Sequence, residues 1–377
     1  MLHINQSRRT GLPMSFIAQL EPDALLKAFT AHPPLGFTVD ESPQGMPGFV
    51  APFNLLTTAD DALRRRISGF PLYRWWGRLL QWRTRFAGTT VSEYAPLPRA
   101  VSPLELARGL KAAHGRECKL LIVKDIAQDS PLLSDAENTH ARAFAAACEA
   151  EGYVLLEGQA LAWVPIDFTS NDDYLARLSS GRRKNIRRKL RSRADLEIEA
   201  VATGDARFND AVTLAQFQAL FDNVYAQSEI HFDQLTAAYF RALLQDAQSH
   251  GVVFVYRHAG QMIGWNLCYE YGGKLIDKYV GFAYPQAREN NLYFVSWMHN
   301  LEYARQHGLT HYVAGWTDPE VKSFLGARMT FTRHAVYARN SLLRALLRRL
   351  GGHFESDRSW QATQKLEDSA ADNQQDG

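Results

Sequence analysis

The chain has 377 residues, of which 46% are hydrophobic and 22% are charged, and its net charge at neutral pH is +2. This length exceeds one ordinary domain and fits two domains of roughly 150 to 200 residues each. The balanced charge excludes a generally basic surface, so duplex DNA is not an expected partner.

The sequence shows no targeting or metal-binding signal. No run reaches the roughly 18 apolar residues of a membrane span, and no apolar signal-peptide segment follows the basic residues within 1–9. The three cysteines, Cys118, Cys148 and Cys268, lie far apart in apolar contexts and lack zinc-site spacing. We therefore expect a cytoplasmic protein with free thiols, no metal and no tightly bound cofactor.

The N-terminal half is predicted to alternate helices and strands after a flexible arm over 1–14. Ser134, with Glu137 three residues later, predicts a capping box, and Gly152 predicts the end of the same helix. The predicted elements are a helix over 20–30, short strands within 32–56, a buried strand over 118–126, a helix over 134–150, and one long strand or a hairpin over 153–166.

The C-terminal half is predicted to contain a dense β region with a tight turn at Gly272 and Gly273. In chain order we expect helices over 171–193 with a break at 179–181, a strand over 195–201, helices within 207–250, strands over 252–256, 262–271 and 274–282, a helix over 291–306, a strand over 310–314, a short helix over 319–325, a strand over 329–337, a basic helix over 341–350 and a disordered tail over 357–377.

One arrangement occurs twice along the chain. Strand, helix, glycine and strand follow one another over 118–166, around Gly152, and again over 274–314, around Gly308. No strong sequence identity accompanies this repeat, and any chain of alternating helices and strands produces similar ones. It weakly favours two related domains packed side by side.

A dense cluster of positive charge lies between residues 182 and 193, where eight of twelve residues are basic. At 3.6 residues per turn these side chains surround most of a helix, and only Ile186 and Leu190 are left to anchor it. Repulsion among the charges is relieved either by bound phosphates or by nearby acids such as Asp172, Asp173 and Asp195. Both interpretations stay open.

Three features follow one another in a fixed order: the basic string from Ser180 to Arg193, a β hairpin with a helix and a strand after it, and the segment Lys322-Ser-Phe-Leu-Gly326. In this order they resemble the FemAB-like branch of the GNAT superfamily, which includes BioF-like and cellulose-biosynthesis-type acetyltransferase domains. The resemblance extends over about 110–340. It implies an α/β fold of tandem GNAT-like (acyl-CoA N-acyltransferase) domains, with mixed, mostly antiparallel sheets flanked by helices.

The resemblance also implies a domain organisation. We expect an N-terminal GNAT-like domain over 15–170 with an insertion rich in Trp and Arg over 60–86, a C-terminal GNAT-like domain over 171–340, a basic amphipathic helix over 341–356 and the tail.

The activity that the resemblance implies is N-acyl transfer, with acyl-CoA as co-substrate and an amine of a small molecule, a sugar or an envelope precursor as acceptor. One segment departs from the family pattern: residues 284–291 lack the glycines that cradle the pyrophosphate of CoA, although a helix N-terminus still binds anions. Two alternatives therefore stay open, an aminoacyl-tRNA-dependent transferase and a non-enzymatic binding protein of the same fold.

Acyl transfer needs a group that accepts the amine proton and a group that protonates the leaving atom. Asp277 and Tyr279 are the catalytic candidates, because strand alternation predicts both on one face. Asn266 and Glu270 are expected on one face, with Tyr269 on the other. Trp316 is expected to line the donor channel, and the predicted phosphate-binding residues are Arg182, Arg183, Lys184, Arg187, Arg188, Asn291 and Lys322.

Two segments combine aromatic or aliphatic residues with arginines. Residues 72–86 contain Trp75, Trp76 and Trp82 beside four arginines, and residues 341–350 alternate leucine pairs with arginines. This composition suits a helix that lies in a membrane interface, or a site for a lipid-linked acceptor. The alternative for the first segment is a flap packed on the neighbouring domain, since tryptophan is usually buried. We expect peripheral contact with the inner face of the membrane through both segments.

Overall fold

The computed structural model describes residues 16–54, 65–66, 69–70, 73–228 and 231–350. The predicted arm over 1–14, the tail over 357–377, and residues 60–64, 67–68 and 71–72 of the predicted insertion lie outside the described residues.

The chain forms an α/β structure with thirteen described strands, and this part of the predicted fold class is confirmed. The strands are β1 (Phe16–Ile17), β2 (Thr38–Glu41), β3 (Pro47–Asn54), β4 (Gln81–Ala87), β5 (Leu97–Pro98), β6 (Leu120–Gln128), β7 (Val154–Pro165), β8 (Leu196–Ala202), β9 (Gly251–His258), β10 (Gln261–Tyr271), β11 (Lys274–Phe282), β12 (His311–Gly315) and β13 (Arg328–Ala338).

Helices flank the strands on both sides. They are α1 (Asp23–Ala31), α2 (Tyr73–Trp76), α3 (Pro103–His114), α4 (Asp135–Ala150), α5 (Asn171–Ala176), α6 (Ser180–Lys189), α7 (Ala211–Gln227), α8 (Ala237–Leu244), α9 (Gln286–Glu289), α10 (Leu292–Gln306), α11 (Pro319–Phe324) and α12 (Ser341–Leu350), with 3-10 turns at Gly77–Leu80, Leu190–Asp195 and Ala206–Asn209.

One sheet of eleven strands runs through the whole molecule, in the order β2-β3-β4-β6-β13-β7-β12-β11-β10-β9-β8. Among the described strands of this sheet, the pairs are antiparallel except β4 with β6 and β11 with β12, which are parallel. Helix α3 connects the first parallel pair and α10 connects the second. Each half is therefore a short antiparallel meander followed by a crossover helix and a parallel strand, because parallel pairs require such a crossover.

The two halves exchange their last strands. Strand β7 follows β6 in the chain but lies beside β12, while β13 follows β12 but lies beside β6. The exchanged strands pair with each other at the centre of the sheet, from Val154 opposite Val336 to Trp163 opposite Arg328. The pairing is so close that a Cβ atom on Gly158 would lie 2.2 Å from Oγ1 of Thr332.

This continuous sheet changes two predictions. The halves do not form two separate sheets, because each contributes a strand to the other, so side-by-side packing of independent sheets was wrong. The predicted repeat paired the wrong segments. It matched β11-α10-β12 with the segment around α4, whereas the sheet topology makes β4-α3-β6 the counterpart of β11-α10-β12. The boundary at residue 170 itself stays a prediction.

Local capping follows the sequence closely. Ser134 accepts a hydrogen bond from the backbone N–H of Glu137, whose carboxylate accepts one from the N–H of Ser134, and Gly152 adopts φ +89° after the helix. Helix α3, which was not predicted, begins with the same box between Ser102 and Glu105. Reciprocal caps of this kind satisfy two otherwise unpaired backbone donors.

The Trp/Arg-rich segment 72–86 was predicted as a single surface helix or flap, but its second part is a strand of the main sheet. Residues from Gln81 onward pair with β3 and β6 as β4. Arg85 is 1% exposed and forms a two-pronged ion pair with Asp40. Within the described part of the segment, α2, the turn after it and the exposed residues Gln81 and Arg83 at the start of β4 remain available for surface contact. None of the described helices combines the length and hydrophobicity of a bilayer crossing.

Neither half is expected to fold alone. Residues 1–170 contain β7 but lack β13, which leaves the central edges of β6 and β7 unpaired and apolar. We expect this fragment and residues 171–377 each to show no cooperative thermal transition by circular dichroism, whereas the full chain unfolds in one transition. Mixing the fragments should restore part of that transition. Cooperative unfolding of either fragment alone would contradict the exchanged arrangement.

Candidate functional site

A polar opening lies between the parallel strands β11 and β12. Their pairing covers only three positions, from Lys274 opposite His311 to Ile276 opposite Val313, and then the strands diverge. Asp277 is the first residue of β11 beyond the paired region. In the described ranges no three His, Cys, Asp or Glu side chains group together as ligands for a metal ion.

Asp277 is held by three neighbours on β10, α10 and β12. Its carboxylate accepts hydrogen bonds from Nδ2 of Asn266 (2.6 Å), from Nδ2 of Asn300 (3.2 Å) and from the hydroxyl of Tyr312 (2.7 Å). Burial raises the pKa of Asp277, and these hydrogen bonds together with the charge of Lys322 oppose the rise. The result is a fixed carboxylate with a greater affinity for protons than an exposed aspartate.

Asn300 and Tyr312 were not among the candidates. Asn300 is 1% exposed on a face of α10 that otherwise buries Trp297, Leu301 and Ala304. An amide on the apolar face of a helix was the signal in the sequence, since buried polar groups are nearly always hydrogen-bonded.

Tyr279 does not join Asp277, and the prediction that they share one face was wrong. Strand β11 bulges between them: Asp277 pairs with Cys268 and Tyr279 pairs with Leu267, so Lys278 is the extra residue. A bulge breaks the two-residue alternation of a strand. The hydroxyl of Tyr279 contacts that of Tyr239 on α8 at 2.8 Å, on the opposite side of the sheet.

Lys322 lies at the same opening as Asp277. It is 5% exposed, and its ammonium donates a hydrogen bond to the carbonyl of Ala314 on β12 at 2.6 Å. Burial lowers the pKa of Lys322 to about 8, against the opposing charges of Asp277 and Asp318. Lys322 is therefore not one of the exposed lysines that are common on short surface helices. Its helix α11 begins with Pro319 as expected, but Asp318 has φ +53° and its side chain makes no capping hydrogen bond.

A second charged cluster, which we call the buried triad, lies beyond the bulge and was not predicted. It consists of Lys278, Glu21 and Glu93, whose side chains are at most 6% exposed. The ammonium of Lys278 contacts Oε1 of Glu93 at 2.5 Å and Oε1 of Glu21 at 3.3 Å. The second oxygen of each carboxylate is buried without a hydrogen-bond partner.

The members of the buried triad perturb one another. Burial raises the pKa of Glu21 to about 7, with Lys278 opposing the rise. Burial alone would lower the pKa of Lys278, but the charges of Glu93 and Glu21 raise it above its usual range. Glu93 also acts on the polar opening, because its charge raises the pKa of both Asp277 and Lys322.

The N-terminal half contains a matching opening between β4 and β6. This parallel pair also covers three positions and ends at Ala87 opposite Val123. Beyond it Lys124 donates a hydrogen bond to the carbonyl of Thr89 at 2.8 Å. In both halves a lysine ammonium thus satisfies a carbonyl that the diverging strands leave unpaired.

The basic string forms helix α6 and a 3-10 turn, and several of its arginines stabilise neighbouring backbone. Arg182 donates to the carbonyls of Ser323 and Phe324 at the end of α11, and Arg183 donates to carbonyls of Ala176 and Leu178. Cations commonly satisfy helix C-termini in this way.

Other residues of α6 pair with acids or remain exposed. Arg187 forms an exposed ion pair with Asp172 at 2.8 Å, which agrees with the interpretation that nearby acids relieve the repulsion among the basic residues. Lys184 and Arg188 are exposed, and within the described residues no ion pair involves them. They are the members of the predicted phosphate-binding group best placed to meet a ligand.

The segment without glycines, 284–291, forms a cis-proline turn and the short helix α9 before α10. Asn291 adopts φ +48° at the start of α10, and its side chain makes no capping hydrogen bond. The basic string covers this end: Ser192 donates to the carbonyl of Asn290, and Lys189 lies 3.5 Å from the ring centroid of Phe294. Residues of the basic string thus pack against the start of α10.

Three further candidates have structural positions. Trp316 is half-buried against the core cluster under α3 and α4. Glu270 accepts a hydrogen bond from Tyr303 of α10 and lies on the face of Asn266, while Tyr269 faces the opposite core, as predicted. Of the three cysteines, all free, Cys148 and Cys268 are buried and Cys118 is half-buried.

Residues 104–365 match the model of the FemAB-like family, which is described as peptidoglycan biosynthesis/recognition. None of the curated proteins matches the chain in sequence. The match exceeds half of the chain and supports the FemAB-like part of the resemblance; the BioF-like, cellulose-biosynthesis-type part has no support in it.

Several solved structures are similar in fold. The C-terminal domain of a candidate lysylphosphatidylglycerol synthetase from Agrobacterium fabrum has 14% identity, a TM-score of 0.52, and coverage of 88% of this chain and 92% of that chain. FemX has 11% identity, coverage of 85% and 97%, and a TM-score of 0.47. A tandem GNAT protein from the clavulanic acid biosynthesis pathway has 12% identity, coverage of 87% and 93%, and a TM-score of 0.43. The expected α/β class, with a mixed, mostly antiparallel sheet flanked by helices, is confirmed, and its assignment to tandem GNAT-like domains stays a prediction.

The buried triad should make stability depend on pH. Because the pKa of Glu21 is higher in the folded protein than in the unfolded chain, the folded state holds its proton more tightly between pH 4.5 and about 7. Stability should therefore fall as pH rises through this window, by at most roughly 1.4 kcal/mol per pH unit. Thermal unfolding at pH 5 and pH 7 measures this slope.

Oε1 of Glu21 also accepts a hydrogen bond from the backbone N–H of Glu93. The variant Glu21→Gln keeps this acceptor and removes the titration, so its slope should be smaller. The exposed Glu197→Gln is the matched control and should retain the slope of the unmodified protein. Equal slopes in all three proteins would contradict a raised pKa at Glu21.

Proposed function

Because the chain belongs to the FemAB-like family, we propose that it transfers an aminoacyl group to an amine of a peptidoglycan precursor. The observation that carries this proposal is the position of Lys322, a buried lysine beside the fixed carboxylate of Asp277 at the opening between two diverging strands. The expectation of a transferase agrees with the family.

In the proposed reaction the acceptor amine attacks the ester carbonyl of the donor. A C–N bond forms, the ester C–O bond breaks, and the leaving oxygen takes up a proton equivalent to the one that the amine loses. Asp277 would accept the amine proton, since burial raises its proton affinity. The ammonium of Lys322 would stabilise the negative charge that develops on the carbonyl oxygen.

We infer an aminoacyl-tRNA donor in preference to acyl-CoA. The usual cradle for the CoA pyrophosphate is a glycine-rich loop whose N–H groups point at the ligand. Here the corresponding segment, 284–291, contains no glycine and forms the short helix α9, and Ser192 and Lys189 pack against the start of α10. The exposed cations Lys184 and Arg188 offer phosphate contacts outside such a loop.

A transfer assay with two donors tests this proposal. The purified chain would be incubated with a radiolabelled aminoacyl-tRNA or with acetyl-CoA, and with a peptidoglycan precursor peptide that carries a free amine. We expect label in the peptide from the aminoacyl-tRNA only. Transfer from acetyl-CoA alone would overturn the donor assignment, and no transfer from either donor, with tight precursor binding, would favour the binding-protein alternative.

The charge state of Lys322 should control the reaction. Since its pKa is about 8, the ammonium is present below that pH and is lost above it. We therefore expect kcat to decline above about pH 8, and Lys322→Met to lose roughly 100- to 1000-fold without showing this decline. The exposed Lys27→Met serves as control. A wild-type kcat that rises through pH 8 would contradict the ammonium role, because a general base would then explain the profile.

Donor binding should depend on the exposed face of α6. A charge-assisted hydrogen bond to phosphate contributes about 1.5 to 3 kcal/mol, so Lys184→Ala with Arg188→Ala should raise the donor KM at least about tenfold. Arg183 is left unchanged because it holds two backbone carbonyls. The control is Lys27→Ala with Arg241→Ala, two exposed cations on α1 and α8. An unchanged KM in the folded α6 variant would mean that Lys184 and Arg188 belong to a solvent-exposed surface with no role in donor binding.

A further inference from the structure

A groove of about 970 Å³ lies where the starts of β4 and β6 meet the end of β13 and the start of α12. We call it the basic groove, because Arg83, Arg116, Lys119 and Arg339 line it. All four side chains are exposed at the surface. Neither the polar opening nor the buried triad contributes a residue to it.

The charges of the basic groove are poorly compensated. Its lining includes one carboxylate, Glu117, which is engaged by His114 at 3.0 Å and by Arg85 at 3.7 Å. In the part of the chain that the structure describes, the four lining cations form no ion pair. Lys119 instead lies 4.6 Å from the ring centroid of Trp82. Like charges brought together without counter-charges favour the binding of an anion.

Apolar side chains flank the basic groove on both sides. Helix α12 packs Leu343 and Leu347 against the core, yet Leu342 is 78% exposed and Leu346 is 50% exposed. On the other side, α2 and the turn after it expose Trp75 (82%) and Leu79 (73%) just before β4 enters the groove. Exposed apolar residues grouped around a basic surface mark an interaction site.

We propose that this surface docks on a membrane that contains anionic phospholipid, with the phosphate of a lipid headgroup bound in the basic groove. Leu342, Leu346 and Trp75 would enter the interface, while Arg348 and Arg349 of α12 stay at headgroup level. An RNA ligand would use the same cations but would gain nothing from exposed leucines. The proposal goes beyond the transfer reaction and does not depend on it.

Vesicle flotation with the full chain tests the proposal. The probes are vesicles of phosphatidylcholine alone and vesicles with added phosphatidylglycerol. We expect the protein to float only with the anionic vesicles. Two double variants should each reduce the fraction of protein bound to anionic vesicles at least tenfold. One combines Leu342→Ser with Leu346→Ser, and the other combines Arg116→Glu with Arg339→Glu. All four positions are exposed, so circular dichroism should show an unchanged fold.

Matched controls separate this surface from general effects. Leu35→Ser with Val212→Ser removes exposed apolar residues elsewhere, and Lys27→Glu with Arg241→Glu makes the same change in net charge. Both controls should bind anionic vesicles like the unmodified protein. Failure of the unmodified protein to float, or equal loss in the controls, would overturn the proposal. So would binding of an RNA stem-loop that depends on Arg116 and Arg339 but not on the leucines, combined with no vesicle binding.

Discussion

The burial of Lys278 between Glu21 and Glu93 is the interaction on which the arrangement of the site depends. It ties together the segment before α1, the loop after β4 and the bulge of β11, which are remote in sequence. Such a triad is not by itself a source of stability, because removing charges from water costs about as much as their attraction returns. Removing Lys278, however, would leave two buried carboxylates without a counter-charge and would cost about 3 to 5 kcal/mol.

The bulge that presents Lys278 to the glutamates also separates its two neighbours. Asp277 turns toward α10 and the opening beside β12, and Tyr279 turns toward α8. One extra residue in one strand therefore assigns three consecutive side chains to three environments. Because Glu93 also acts on Asp277 and Lys322, the triad and the proposed catalytic pair form one electrostatic unit that extends across both halves.

Sequence reasoning predicted most elements of the C-terminal half, since their periodicity and turn residues are local properties. It also named Asp277, from strand alternation, and Lys322, from the order of motifs that carries the family resemblance. It failed at Tyr279, because a bulge depends on the partner strand and leaves no local pattern. Glu21 and Glu93 could not be found, because a glutamate that will be buried looks the same in sequence as one on the surface. The exchange of β7 and β13 was likewise invisible, since either strand fits beside either neighbour by hydrophobicity alone.

The exchanged strands have a consequence for synthesis on the ribosome. Strand β7 is complete at Pro165, but its central partner β13 ends only at Ala338, about 170 residues later. At a translation rate of roughly 5 to 20 residues per second, the edge of β7 that pairs with β13 stays unpaired for about 10 to 35 s. During that interval the nascent N-terminal half cannot close its sheet, and the apolar edges of β6 and β7 are available to chaperones or to other nascent chains. The last described strand to leave the ribosome is thus the one that completes the first half of the molecule.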